Sequence, residues 1–240
     1  MLVISLRIII LLSEMIKIKN KVMLHLPKSA GNYVKQCFQM NNLASELAVR
    51  PHASLADINF NPSAEHSFII LRNPLDWYVS WYHYSRKHQT SWWKIFSGGT
   101  DSTFKNVLRN LLFVSERQEM WEKEYSTSHA WEGGRFVFKE MADNFLSWYG
   151  FRVQQLTSLD ENKLENNLLS EWITVYDYRK LNMAIEQILH EFEISSPKII
   201  DQKVNPSQHN NYMSYYDNET LEWVKNKDAW MFDVLAERSL

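Results

Sequence analysis

The chain has 240 residues, 45% of them hydrophobic and 22% charged, with a net charge of −2. These values exclude a disordered chain, a collagen-like repeat and a polytopic membrane protein, and they give no basic field for broad nucleic-acid binding. A single cysteine, Cys37, excludes an internal disulfide and a thiolate zinc cluster, and with only six glycines each loop glycine carries information.

Leu2 to Leu12 is an apolar run broken by Ser5 and Arg7, about half the ~20 residues a membrane span needs. It lacks a basic start and a small-residue cleavage site, so it is read as an N-terminal strand or helix packed on the domain, or as leader residues, and residues 1–20 as an N-terminal extension or leader. Cytoplasmic localisation is expected. The run Lys21 to Leu26 reads as a short buried strand ending at Pro27, and Asn32 to Met40 as a helix. A second strand, Ser67 to Leu71, ends at Arg72-Asn73-Pro74, and a helix follows with Pro74 and Asp76 in its first turn. Residues 88–135 are less regular, with Gly98-Gly99 and Gly133-Gly134 as breakers. Ile173 to Tyr176 supplies a further strand. Asn144 to Leu156, Lys180 to Phe192 and Glu219 to Leu235 read as amphipathic helices. Strand–turn–helix units in this order imply an α/β fold, one domain over 21–240 with a central parallel sheet flanked by helices.

Two turns carry the chemistry. In Pro27 to Tyr33, free backbone N–H groups at a helix start face any anion placed there. Ser29, Gly31 and Asn32 supply donors, and Lys28 supplies a compact positive charge. The pattern GxxxxGK[ST] is absent, which disfavours an ATPase, a GTPase or a phosphotransferase of the usual kind. In the second turn Arg72 sits at a strand end and Ser80 two helical turns later, suited to a second phosphate. Two anion sites at adjacent strand ends suit a nucleotide phosphorylated at two places.

HLPKSAGNY at 25–33 and FIILRNPLDWYVSWYHYSR at 68–86 resemble the cytosolic and carbohydrate sulfotransferases, which use 3′-phosphoadenosine 5′-phosphosulfate (PAPS). PHASLADI at 51–58, ITVYDYRKL at 173–181 and KVNPSQHNNYMSYYDNETLEWV at 203–224 are similar to later segments of the carbohydrate-type branch, in the expected order. The resemblance implies a P-loop-like nucleotide-binding core, in which Lys28 contacts the bridging oxygen and 5′-phosphate inside a loop of Ser29, Ala30, Gly31, Asn32 and Tyr33. It implies that Arg72 and Ser80 hold the 3′-phosphate, that Tyr176 reaches the adenine edge, and that Lys203 adds charge nearby. Ala30 and Asn32 stand where the family usually has glycine and threonine.

Sulfuryl transfer to a hydroxyl needs charge stabilisation on the leaving oxygen and a base for the acceptor. His52, flanked by Pro51 and Ala53, is the expected base, with Glu46 and Asp57 as alternatives nearby. The expected product is 3′-phosphoadenosine 5′-phosphate (PAP), and no metal is expected. The acceptor is expected to carry a hydroxyl, on a glycan or small molecule, with no nucleic-acid or membrane partner. Residues 88–135, with Trp92, Trp93, Trp121 and Trp131, are where an acceptor pocket or lid could sit, although core packing explains most tryptophans. A non-enzymatic nucleotide-binding module is the alternative.

Overall fold

A computed structural model describes residues 14–43, 46–51, 54–97, 102–114, 141, 146–159, 169–170, 172–200 and 211–240. Its centre is a five-stranded sheet of β1 (Glu14–Ile18), β2 (Lys21–Leu24), β3 (Glu46–Pro51), β4 (His66–Leu71) and β5 (Ile173–Asp177), in the order β3-β1-β2-β4-β5. β2, β4 and β5 pair in parallel, with Met23 opposite Phe68 and Ile70 opposite Tyr176. β1 runs antiparallel to both neighbours, so the sheet is mixed, with a parallel half. β1 falls inside the stretch expected to be an extension, and it lies between β3 and β2 in the interior of the sheet.

The strands alternate with period two, and each parity faces its own helical layer. Val22, Leu24, Ile69, Leu71, Ile173 and Val175 join one core cluster, while Met23, Phe68, Ile70 and Tyr176 join a second. The second cluster is closed by α1 (Gly31–Met40) and α6 (Leu181–Glu191), through Val34, Phe38, Ile185 and Leu189. On the other face lie α2 (Pro74–His88), α3 (Ser91–Ser97), α4 (Phe104–Leu112), α5 (Trp148–Thr157), α7 (Asn218–Lys227) and α8 (Ala229–Glu237). Each fully buried aliphatic side chain in these layers contributes about 1.5–3 kcal/mol of burial free energy.

Local sequence explains the helix limits. Asn73 caps α2 by accepting from Leu75 N at 3.0 Å, Pro74 occupies its first turn, and Arg86, Lys87 and His88 end it. The stretch 219–235 is two helices. Asp228 ends α7 and begins α8 while its carboxylate turns inward, so one continuous amphipathic helix does not form. α3 and α4 are regular helices within the segment read as irregular. Trp92 and Trp93 pack into the core there: Trp93 is buried, and Trp92 lies 4.5 Å from Trp148, ring to ring. Trp121 and Trp131 lie outside the described residues. Among the described residues no helix is long and apolar enough to cross a membrane.

Candidate functional site

The carboxyl ends of β2, β4 and β5 all open on one edge of the sheet, and each feeds a residue into the same place. After β2 the chain turns through Pro27 to Ala30 into α1. Lys28 (φ 67°) and Ala30 (φ 65°) both adopt the left-handed conformation that favours glycine. Ala30 precedes the first helical residue and no side chain caps α1, whereas α2, α4, α5 and α7 each have a side-chain cap. Its first turn holds no acidic residue, so the helix supplies no charge of its own to balance the positive end of α1. The Ser29 hydroxyl is buried in this loop and has no hydrogen-bond partner among the described residues. A buried hydroxyl of that kind costs free energy unless a ligand satisfies it. Gly31 is required for a concrete reason: the buried His25 ring occupies the space a Cβ would take.

After β4, Arg72 reaches the same loop. Its Nη1 donates to the Lys28 carbonyl at 3.2 Å, and its Nε and Nη2 donate to Asp76 Oδ2 and Oδ1 at 2.6 and 2.9 Å. The guanidinium lies 4.6 Å from the centre of the Tyr178 ring, just past β5. The Lys28 ammonium sits 4.2 Å from the Tyr84 ring centre. Burial, and then the positive charge of Arg72, push the Lys28 ammonium down to about 8. Two cations held together beside an uncapped helix start and a buried hydroxyl form a site for an anion, and the donors fit a phosphate.

The expected residues divide between this place and others. Lys28, Ser29, Ala30, Gly31 and Arg72 come together. The side chain of Tyr33 turns away: its hydroxyl lies 2.7 Å from Asn182 Oδ1 and 2.8 Å from the Ile200 carbonyl, in the second core cluster. Asn32 is half-buried on the first turn of α1. Ser80 is fully buried on α2. Tyr176 is buried with its ring edge-on to Phe68 at 6.0 Å, and the aromatic that meets Arg72 is Tyr178. His52 and Lys203 lie outside the described residues. β3 runs in the same direction as β2, so it leaves the sheet at Pro51 on the site edge and begins at Glu46 on the far edge. Five residues of strand put Glu46 roughly 17 Å from that edge, which disfavours it as a base.

Sequence reasoning missed Asp76 as the partner of Arg72, the ring platforms Tyr84 and Tyr178, and two buried aromatics, Trp77 and Tyr149. The Arg72–Asp76 spacing of one helical turn was the available signal for the first; the others arrive from separate elements. Among the described residues no group of three His, Cys, Asp or Glu side chains could hold a metal ion. A groove of about 520 Å³ between α4 and α7, lined by Lys105, Arg109, Phe113 and Trp223 among others, includes none of the anion-site residues.

No curated protein and no solved structure gives a significant match to the chain. A family model, described as the sulfotransferase domain, matches residues 12–216. That span runs from just before β1 to just short of α7 and contains the whole sheet and both cationic turns, so the arrangement at the sheet edge and the sequence match agree: the chain belongs to the sulfotransferase domain family.

Proposed function

We propose that the protein transfers a sulfuryl group from PAPS to a hydroxyl or amine of a glycan or small-molecule acceptor in the cytoplasm, by in-line displacement and without a metal. The observation that carries this reading is the pairing of Lys28 and Arg72 across one loop, beside the start of α1 and a Ser29 hydroxyl that has no partner among the described residues. PAPS supplies the activated sulfuryl group. The amides at the start of α1, with Ser29 Oγ, bind the 5′ end, and Lys28 balances the negative charge that gathers on the departing oxygen. Arg72 and Ser80 hold the 3′-phosphate, and Asp76 aims the guanidinium by its two-point contact. Tyr176, buried in the sheet, acts through the position of β5, and Lys203 adds charge. His52 takes the acceptor proton, with Asp57 as the alternative, and residues 88–135 form the acceptor side.

Transfer of labelled sulfate from PAPS to a panel of glycans and phenols tests this. Turnover should survive chelation and fall about a hundred- to a thousandfold in Lys28→Ala, as expected when a charge-stabilising group is lost. His52→Ala should also abolish it. Turnover that disappears on chelation, or that persists undiminished in Lys28→Ala, contradicts the mechanism.

A further inference from the structure

We propose that the stacked pair Trp77–Tyr149 is a positioning brace that fixes the spacing of the two anion-binding turns and so selects donors phosphorylated at two places. Trp77, on α2, is fully buried, and its Nε1 donates at 2.7 Å to the carbonyl of Pro27, the residue before Lys28. Its ring lies on that of Tyr149 from α5, with centres 4.4 Å apart and planes 11° from parallel. The Tyr149 hydroxyl in turn closes both backbone groups of Arg72, accepting from its N–H at 3.1 Å and donating to its carbonyl at 2.7 Å. One stacked unit therefore has a polar end on each turn.

The unit is itself anchored. Tyr78 meets both rings edge-on, at 5.3 and 6.2 Å, and its hydroxyl donates to Asp228 at 2.7 Å. The Arg72 guanidinium also donates to the Lys28 carbonyl, so the two turns meet at that point as well, and the ring pair sets how far apart their backbones stand before any ligand arrives. A restraint of this kind lowers the ordering cost for a ligand that spans both turns and does little for a ligand that touches one.

The proposal rests on the two-phosphate reading of the site, and the experiment separates the two. PAP, adenosine 5′-monophosphate and adenosine 3′-monophosphate are titrated calorimetrically into the wild type, Trp77→Phe and Tyr149→Phe. Each variant keeps a ring and loses one polar end of the brace. Trp77→Phe orphans the Pro27 carbonyl and Tyr149→Phe orphans two backbone groups of Arg72, and one such buried hydrogen bond corresponds to about tenfold, the least loss expected for either. Each variant should lose at least that factor for PAP and less than about threefold for either monophosphate. Trp77→His, which keeps a ring N–H, should recover part of the loss. The monophosphate affinities and a cooperative melt serve as controls for folding. Equal losses for all three ligands, or no loss for PAP, overturn the brace alone. A wild type that binds PAP no better than the monophosphates overturns the two-phosphate reading and the brace with it.

Discussion

Lys28 is half-buried beside a second cation, and that combination makes its charge pH-sensitive. Its ammonium is held down to about 8, first by burial and then by Arg72, against an ordinary value near 10.5. A phosphate is already fully ionised near pH 8 and favours the protonated lysine, so it raises the lysine value on binding. PAP affinity should therefore be flat below about pH 7, begin to fall near pH 8 and be roughly ten- to thirtyfold weaker by pH 9.5, with proton uptake on binding from about pH 8 upward. Arg72→Gln weakens binding but moves the break upward, because one of the two depressing causes is gone. Titration in buffers of different ionisation heat measures both effects. An affinity that stays constant to pH 9.5 contradicts the placement of Lys28 at the phosphate. The lysine and arginine were legible as motif residues, because each sits at a strand end in a recognisable turn. Tyr84 and Tyr178 were not, since a ring that supports a cation leaves no local pattern.

The β2–α1 turn is the element on which the site depends. Gly31 was expected to supply a backbone donor; in the fold its missing Cβ also makes room for His25, which packs beneath the turn. Gly31→Ala forces the ring or the helix start to move, an overpacking cost of about 1–3 kcal/mol. The expected result is a melting temperature lower by roughly 3–10 °C together with weakened PAP binding. Ala30→Gly acts in the opposite sense: it relieves about 1 kcal/mol of left-handed strain, partly offset by added freedom in the unfolded chain. It should leave PAP binding intact. A Gly31→Ala protein that melts and binds as the wild type shows that the turn is not built on this contact. At this scale the parallel strands and the principal helices could be read from periodicity, whereas β1 and β3 could not. β1 opens on Glu14, carries Lys17 between Ile16 and Ile18 and follows a stronger apolar run, and its partner β3 starts 28 residues after it ends.

Across the whole molecule, the buried carboxylate of Asp228 ties the site layer to the C-terminal helices. It accepts from Tyr78 and Ser147, and burial pushes it up to about 6 despite those donors. A carboxylate raised in the fold binds its proton more tightly folded than unfolded. Its contribution to stability therefore falls as pH rises from about 4 to 6 and is level above that. Asp228→Asn removes this dependence. The wild type should gain on the variant, by roughly 2–3 kcal/mol at the outside, between pH 6 and pH 4. Parallel melting-temperature curves for the two proteins over that range contradict the buried ionisable assignment. This long-range tie was invisible in the sequence, where Asp228 lay inside what read as one continuous helix. The sheet flanked by helices was itself visible, because strand–turn–helix units in succession imply a parallel sheet covered by helices.

The central claim is that the sheet edge holds two phosphates of one nucleotide. Calorimetric titration of the wild-type protein with PAP and with ADP tests it most directly, since the two ligands carry the same number of phosphates in different places. Binding of PAP at least about tenfold tighter than ADP, as expected when one charge-assisted contact is made by only one of them, is the predicted result. ADP binding equal to or tighter than PAP would contradict it.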